Sequence, residues 1–127
     1  MFYLRFILLL LSPAIFANNN LGLPALVIPA DNLQTMDKIS LGKQIFNDPQ
    51  FSQSGKISCA SCHIKELAFT DGKPAASGIA GLIGTRNTPT IVNAAFFERL
   101  FVDGRAESLE DQALQPMLNS IEHGLKN

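Results

Sequence analysis

The sequence is poor in the residue types that most often carry redox or metal chemistry. Its 127 residues include no tryptophan, one tyrosine, two cysteines and two histidines. The formal net charge is −1, and the sequence has neither a basic patch of the kind that binds nucleic acid nor an acidic tail. Nucleic acid is therefore not an expected partner. The scarcity also makes the position of each cysteine and histidine informative.

The first 17 residues have the layout of a secretory signal peptide. Arg5 precedes an apolar run over Phe6–Leu11, and small residues follow up to Ala17. A membrane anchor is the alternative, but the run is shorter than the ~20 apolar residues that span a bilayer. We predict cleavage after Ala17, a periplasmic mature chain and no membrane association after cleavage. Signal peptides usually have a small residue three positions before the cleavage site, and Ile15 at that position is large. The sequence therefore supports export better than it supports this cleavage site.

The remainder is predicted to form one all-α domain with long loops. An irregular lead-in, residues 18–34, precedes the domain, residues 35–127. No apolar residues alternate with period two, so no strand is expected. The stretch Asp71–Gly84 holds four glycines and one proline, which predicts a long loop.

Apolar periodicity and capping residues predict where the helices lie. The expected helical segments are Thr35–Phe46, a short turn at Ser58–Ile64, an apolar helix at about Thr90–Phe97, and a helix that begins after Ser108. Ser108-Leu109-Glu110-Asp111 is a capping-box sequence. Pro116 is expected to end or kink that last helix, because proline lacks the backbone N–H.

Three of the four cysteines and histidines stand together in the sequence SCASCH. Cys59, Cys62 and His63 form C-x-x-C-H, the attachment sequence of haem c. Each cysteine would form a thioether with one vinyl group, and the histidine would bond the iron. Predicted export agrees with this, since haem c is attached outside the bacterial cytoplasm. We predict one covalent haem c, which would also add volume to a core that a chain of this size builds poorly.

Other chemistry is compatible with the same residues. Cys59 and Cys62 could form a disulfide in an oxidising compartment. A thioredoxin-like redox pair would need a βαβ context, which the sequence does not indicate. A zinc site needs four ligands, and His123 is the only other strong candidate beside the motif.

The sequences around the motif resemble one known family. LGKQIFNDPQFSQSGKISCASCHIKELAFTDG, GTRNTPTIVNAAFF and FVDGRAESLEDQALQPMLNSIEHG occur in this order, and together they closely resemble the N-terminal haem domain of bacterial di-haem cytochrome c peroxidases. The AFTDG stretch is most similar to the MauG-type branch. The resemblance covers about Ile39 to Gly124. It implies a cytochrome-c-like, mostly α domain in the periplasm whose haem reacts with hydrogen peroxide.

The resemblance also implies roles for single residues. His63 matches the proximal iron ligand, and Gln112 and Glu122 match the catalytic glutamine and glutamate of the distal pocket. Asn87 matches an asparagine that helps hold a calcium ion between two haem domains. By residue type alone, Glu122 and Gln112 are equally compatible with solvated positions, and Asn87 with a turn.

The sequence departs from the family pattern in three respects. The displaceable histidine of the classical peroxidases is replaced by Ile79, so the iron should lack that ligand. The tryptophan between the two haems is replaced by Val102. A second C-x-x-C-H is absent from the sequence, so the chain is expected to be a fragment, a truncated product or half of a split protein.

The leading hypothesis is a c-type haem protein that reduces hydrogen peroxide with electrons from a small cytochrome or cupredoxin. It is expected to be incomplete without a separate second haem domain. The alternative is a single-haem electron-transfer cytochrome c, in which Met117, Met36 or His123 would be the second axial ligand. A non-haem zinc or dithiol protein is a third possibility.

Overall fold

The computed structural model describes residues 22–126, so the predicted signal peptide and the start of the lead-in lie outside the described residues. Within that range the chain is mostly helical with little strand. The helices are α1 (Met36–Asn47), α2 (Cys59–Cys62) and α3 (Leu109–Leu118), and short 3-10 turns lie at Pro49–Phe51, Lys65–Leu67, Ile79–Gly81 and Ala94–Phe96.

Helix α1 forms where the periodicity predicts it. The Thr35 hydroxyl accepts a hydrogen bond from the Lys38 backbone N–H at 3.2 Å, which satisfies one of the unpaired donors of the first turn. Asp48 ends the helix, and Pro49 starts the next turn because proline is favoured at a first helical position. Helix α1 packs against α2 and so brings its side chains towards the cysteines.

Helix α3 begins as predicted but ends later. The Ser108 hydroxyl accepts from the Asp111 backbone N–H at 3.1 Å, which is the N-cap bond of a capping box, whereas the Asp111 carboxylate accepts from the Glu107 N–H at 3.3 Å. Pro116 does not end the helix, since the helix continues to Leu118, and the alternative that it kinks the helix stays a prediction. The backbone N–H of Asn119 closes this last turn by donating to the carbonyls of Gln115 and Pro116.

The predicted apolar helix at Thr90–Phe97 is also wrong, because the chain there forms only a 3-10 turn at Ala94–Phe96. Asn93 has a left-handed backbone, with φ of 62°, which interrupts any longer helix. The Thr90 hydroxyl donates instead to the carbonyl of Ala68 at 2.6 Å. This segment is therefore fixed by contact with the chain that follows the attachment motif.

Loops and isolated bridges connect these elements within residues 22–126. Three antiparallel bridges occur in place of strands, at Ile64–Thr70, Ser77–Ile83 and Leu100–Ala106. The predicted loop Asp71–Gly84 is confirmed, with the second bridge closing its tip. Among the described helices, none is long and apolar enough to cross a membrane.

The apolar core of the described residues is small. Its buried members are Ile79, Leu100 and Ala106. Exposed large apolar side chains are far more numerous, and they include Met36, Phe97, Val102 and Leu114. Burying a large apolar side chain stabilises a fold by about 1.5–3 kcal/mol, so these buried residues contribute little. The fold therefore leaves apolar surface that another group or another domain can cover.

Candidate functional site

The two cysteines lie one helical turn apart on α2, and both are half-buried with free thiols. The Ser58 backbone N–H donates to the Ser61 hydroxyl at 3.0 Å, which fixes the start of this helix. Burial raises the pKa of both thiols. Cys59 and Cys62 are three residues apart on one helical turn, so both sulfurs can reach the same edge of a planar group.

His63 follows α2 directly, and a backbone carbonyl fixes its ring. Its Nδ1 lies 3.0 Å from the carbonyl oxygen of Phe69. Because a carbonyl oxygen can only accept, Nδ1 carries the proton and Nε2 keeps its lone pair. This is the arrangement in which a histidine ligates a metal, with the second nitrogen held by a backbone partner.

A strained turn brings the Phe69 carbonyl to the histidine. Ala68 and Phe69 are consecutive residues with left-handed backbones, with φ of 53° and 58°. Non-glycine residues pay about 1–3 kcal/mol each for such a conformation, so it persists only where surrounding bonds impose it. Those bonds are here the Ile64–Thr70 bridge and the donation from the Phe69 N–H to the Ile64 carbonyl at 2.9 Å.

A half-open cavity of about 440 Å³ borders His63. Phe46 of α1 forms part of its wall, with its ring centroid 6.3 Å from that of the histidine. The cavity is also lined by Phe69, by the cationic Lys43 and Lys65 and by the anionic Glu66. Its apolar wall suits a flat apolar ligand, and the two lysines can pair with carboxylates on that ligand.

Glu122 lies near the attachment motif although it is 60 residues from Cys62 in sequence. Burial raises the pKa of the Cys62 thiol most, and the negative charges of Asp71 and Glu122 raise it further. The Glu122 side chain is half-buried. The Cys62 thiol lies 3.8 Å from the Ser77 carbonyl oxygen, and a Cβ on the next residue, Gly78, would lie 3.1 Å from the Glu122 Cα, so the fold brings the Glu122 backbone close to the cysteine pair.

The other residues singled out from the sequence differ in their burial and hydrogen bonds. Gln112 is half-buried on α3, and within residues 22–126 no hydrogen bond joins its side chain to Glu122. Asn87 is exposed, and its side-chain amide donates to the Thr88 carbonyl at 3.5 Å. Ile79 is buried and Val102 is 77% exposed. The roles of Gln112 and Asn87 thus stay predictions.

The candidate second axial ligands differ in their surroundings. Met36 is 77% exposed at the start of α1, and Met117 is half-buried on α3. His123 is only 5% exposed and is therefore buried. Its Nδ1 lies 2.7 Å from the Phe51 carbonyl oxygen, which anchors the ring to a distant segment.

Asp71 is a buried charged residue that the sequence did not single out. It is 8% exposed, one carboxylate oxygen accepts from the Lys73 N–H at 3.2 Å, and the other has no hydrogen-bond partner among the described residues. Its position in Thr70-Asp71-Gly72 is typical of a turn, so nothing in the pattern indicated burial. Its charge acts on Cys62 together with that of Glu122.

These observations fit haem c and not a zinc ion. Two free thiols on one turn, a histidine whose Nδ1 is held by a backbone carbonyl and an adjoining cavity with an apolar wall are the features that haem attachment needs. Within residues 22–126, no group of three or more His, Cys, Asp or Glu side chains is arranged to hold a metal ion by itself. Cys59, Cys62, His63 and His123 therefore do not converge as a zinc site.

A sequence model of the family described as di-haem cytochrome c peroxidase matches residues 36–127. The chain belongs to the di-haem cytochrome c peroxidase family. Membership implies a covalently attached haem as cofactor, and it confirms the resemblance inferred from the motifs around C-x-x-C-H.

Named relatives fall in both branches of the family. The chain is 45% identical to cytochrome-c peroxidase IdrP1 of Denitromonas iodatirespirans over 91 residues, which is 72% of this chain and 24% of the relative. It is 38% identical to cytochrome c peroxidase Ccp of Escherichia coli over 104 residues, 82% of this chain and 22% of the relative. It is 43% identical to methylamine utilization protein MauG of Methylorubrum extorquens, over 70% of this chain and 25% of that protein.

Solved structures have the same fold over this region. A MauG-like protein associated with microbial copper homeostasis matches with a TM-score of 0.75 and 34% identity, over 85% of this chain and 33% of that one. The dihaem peroxidase BthA of Burkholderia thailandensis matches with a TM-score of 0.67 and 27% identity, over 81% of this chain and 30% of that one. The chain thus spans about a quarter to a third of the length of these proteins.

Proposed function

We propose that the chain is a c-type haem domain that binds hydrogen peroxide and takes part in its reduction to water. The observation that carries the proposal is that one loop contacts both Cys62 and Glu122. The Cys62 thiol lies 3.8 Å from the Ser77 carbonyl oxygen, and a Cβ on the next residue, Gly78, would lie 3.1 Å from the Glu122 Cα. Family membership supports the reaction class. On this proposal residues 35–127 form a cytochrome-c-like, all-α domain that is exported by a signal peptide at residues 1–17.

The attachment segment would hold and orient the cofactor. Cys59 and Cys62 would form the thioethers, and His63 would ligate the iron through Nε2. The hydrogen bond from Nδ1 to the Phe69 carbonyl would fix the ring and make Nε2 a stronger donor. When bound, the haem would supply the iron centre at which the O–O bond is cleaved.

Glu122 is proposed as the acid–base group of the reaction. A carboxylate beside bound peroxide can accept the proton of the inner oxygen and deliver it to the outer oxygen as that oxygen departs. Gln112 is proposed to orient the peroxide by hydrogen bonding. Ile79 has no side-chain atom that could ligate iron, so a small ligand would not have to displace that residue to bind the haem iron.

Reducing one peroxide to two waters consumes two electrons and two protons. The electrons are proposed to come from a small cytochrome or cupredoxin by way of a second haem domain. The sequence carries one attachment motif, no tryptophan, and Val102 at the relay position. The chain alone should therefore react slowly and lose its haem absorbance or oxidise its methionines within a few turnovers.

Asn87 is the residue predicted to help bind a calcium ion. Calcium takes six to eight oxygen ligands, and one exposed asparagine side chain supplies a single oxygen. We propose that any calcium ion here is completed by oxygens of the second haem domain.

The acid–base role is tested with the full chain matured with haem c. In Glu122→Gln, the single-turnover reaction with peroxide, followed by stopped-flow absorbance, should slow by about 10²–10⁴-fold. Cyanide binding should stay nearly unchanged, because it requires no O–O cleavage. Glu98→Gln changes an exposed carboxylate and is the matched control, with an expected rate equal to that of the parent.

Two outcomes would overturn the proposal. An unchanged rate in Glu122→Gln would assign that residue to the solvated surface. A wholly low-spin ferric protein that becomes high-spin in Met117→Ala would indicate an electron-transfer cytochrome with methionine as second axial ligand.

A further inference from the structure

The turn that carries Glu122 is closed by its own side chains and backbone. We call residues 119–124 the C-terminal turn. The Asn119 side-chain oxygen accepts from the backbone N–H groups of Ile121, at 2.8 Å, and Glu122, at 3.3 Å. The Gly124 N–H donates to the Asn119 carbonyl at 2.8 Å. These bonds fix the backbone at Glu122 relative to the end of α3.

The loop at Gly78–Ile79 holds the same turn from a second side. The Ile79 N–H donates to the carbonyls of Ile121, at 2.9 Å, and Glu122, at 3.2 Å. A Cβ on Gly78 would overlap the Ile121 carbonyl, and a Cβ on Gly124 would overlap the Ile79 side chain. The loop at Gly78–Ile79 and the C-terminal turn therefore pack so closely that a side chain at Gly78 or Gly124 would collide with the other segment.

His123 joins the C-terminal turn to residues 51–53 and to the end of α3. Its ring Nδ1–H donates to the Phe51 carbonyl at 2.7 Å, and its own carbonyl accepts from the Gln53 N–H at 2.8 Å. Its backbone N–H donates to the Pro116 carbonyl at 3.3 Å. One buried residue, adjacent to Glu122, thus links the turn to the 3-10 segment after α1 and to the end of α3.

We propose that His123 is a positioning residue that fixes the Glu122 carboxylate beside the haem site. This inference rests on the proposed acid–base role of Glu122. The ring bond to Phe51 holds the backbone of the turn that carries residue 122, and that turn packs against Gly78, next to the Ser77 carbonyl that contacts the Cys62 thiol. A displacement of about 1 Å in such a group can cost 10²-fold in rate, so a residue outside the chemistry can control it.

The kinetic test compares variants of the full chain matured with haem c. His123→Leu keeps an apolar volume but removes the ring donor, and His123→Asn keeps a donor near the place of Nδ1. We expect His123→Leu to slow the single-turnover peroxide reaction by about 10–100-fold. His123→Asn should restore most of the rate. Ser120→Ala, an exposed position in the same turn, is the matched control and should react like the parent.

A double-mutant cycle separates positioning from a general structural effect. In a Glu122→Gln background, His123→Leu should cause almost no further loss, because the group that it positions is already absent. An equal loss in both backgrounds would overturn the proposal. A change of ferric spin state in His123→Leu would also overturn it, since that result would make His123 an iron ligand.

Hydrogen exchange gives a readout that is independent of catalysis. Amides of residues 119–125 and of Gln53 should exchange faster in His123→Leu, and His123→Asn should return them towards the parent. Unchanged exchange in His123→Leu would overturn the positioning role. If Glu122→Gln leaves the peroxide rate unchanged, the acid–base assignment of Glu122 fails, and the C-terminal turn then has no catalytic role. The hydrogen-exchange experiment still decides whether His123 holds the C-terminal turn in place.

Discussion

The attachment segment, residues 58–71, and the C-terminal turn use one kind of hydrogen bond for two purposes. In each, a histidine Nδ1–H donates to a backbone carbonyl, from His63 to Phe69 at 3.0 Å and from His123 to Phe51 at 2.7 Å. The first partner lies six residues away in sequence and the second lies 72 away. The short-range bond orients a ligand beside a cavity, and the long-range bond joins distant segments.

The comparison shows why residue type alone does not identify a ligand. Both histidines have Nδ1 within hydrogen-bonding distance of a backbone carbonyl, but His63 also follows a cysteine pair and borders a cavity of about 440 Å³. His123 is buried, and its contacts are to backbone. Whether a histidine can act as a ligand therefore depends on the surroundings of its Nε2, and the hydrogen bond at Nδ1 does not determine those surroundings.

The largest expected difference between the two regions is at the histidines themselves. His63→Ala removes the proposed iron ligand, so the peroxide reaction should fall to the rate of free haem, and added imidazole should restore part of it. His123→Asn should keep a rate close to that of the parent. Stopped-flow absorbance and the ferric spectrum measure both. A parental spectrum and rate in His63→Ala would mean that another residue binds the iron.

The second prediction breaks the contact that holds the C-terminal turn. Gly78→Ala places a methyl group against the Ile121 carbonyl, so it should lower the free energy of unfolding by about 1–3 kcal/mol. Gly42→Ala is the matched control, because a Cβ there meets no atom within 4 Å and lies in α1. It should raise the free energy of unfolding by about 0.5–1 kcal/mol. Urea titration of the haem-loaded chain measures both, and equal stabilities would refute the close contact.

The smallest effects are expected from removing one side chain's local hydrogen bonds in the attachment segment and one side chain's in the C-terminal turn. Ser61→Ala removes the bond at the start of α2, and Asn119→Ala removes the bonds to Ile121 and Glu122. Each should cost about 0.5–1.5 kcal/mol of stability. Only Asn119→Ala should also slow the peroxide reaction, because only it loosens the backbone at Glu122. Equal rates in the two variants would contradict the link between the turn and catalysis.

The parts of the fold that follow from local sequence were predictable. Thr35, Ser108 and the Asp48-Pro49 pair gave the ends of α1 and the start of α3, because caps act within one turn. The predicted helix at Thr90–Phe97 failed because Thr90 bonds to Ala68, 22 residues away. Pro116 did not end α3, since Asn119 completes the last turn.

The attachment motif was predictable, and its surroundings were not. C-x-x-C-H places Cys59, Cys62 and His63 by spacing alone. The nearness of Glu122 was expected from the family resemblance, whereas the burial of Asp71 and His123 depends on contacts between distant segments. Such contacts leave no periodic signal in the sequence.

The account rests most directly on covalent attachment at Cys59 and Cys62. The measurement is the intact mass of the chain, matured by a c-type haem assembly system and then extracted with acidified acetone. We predict that the extracted polypeptide keeps the mass of one haem, because thioether bonds survive this treatment. The mass of the bare polypeptide would contradict the account.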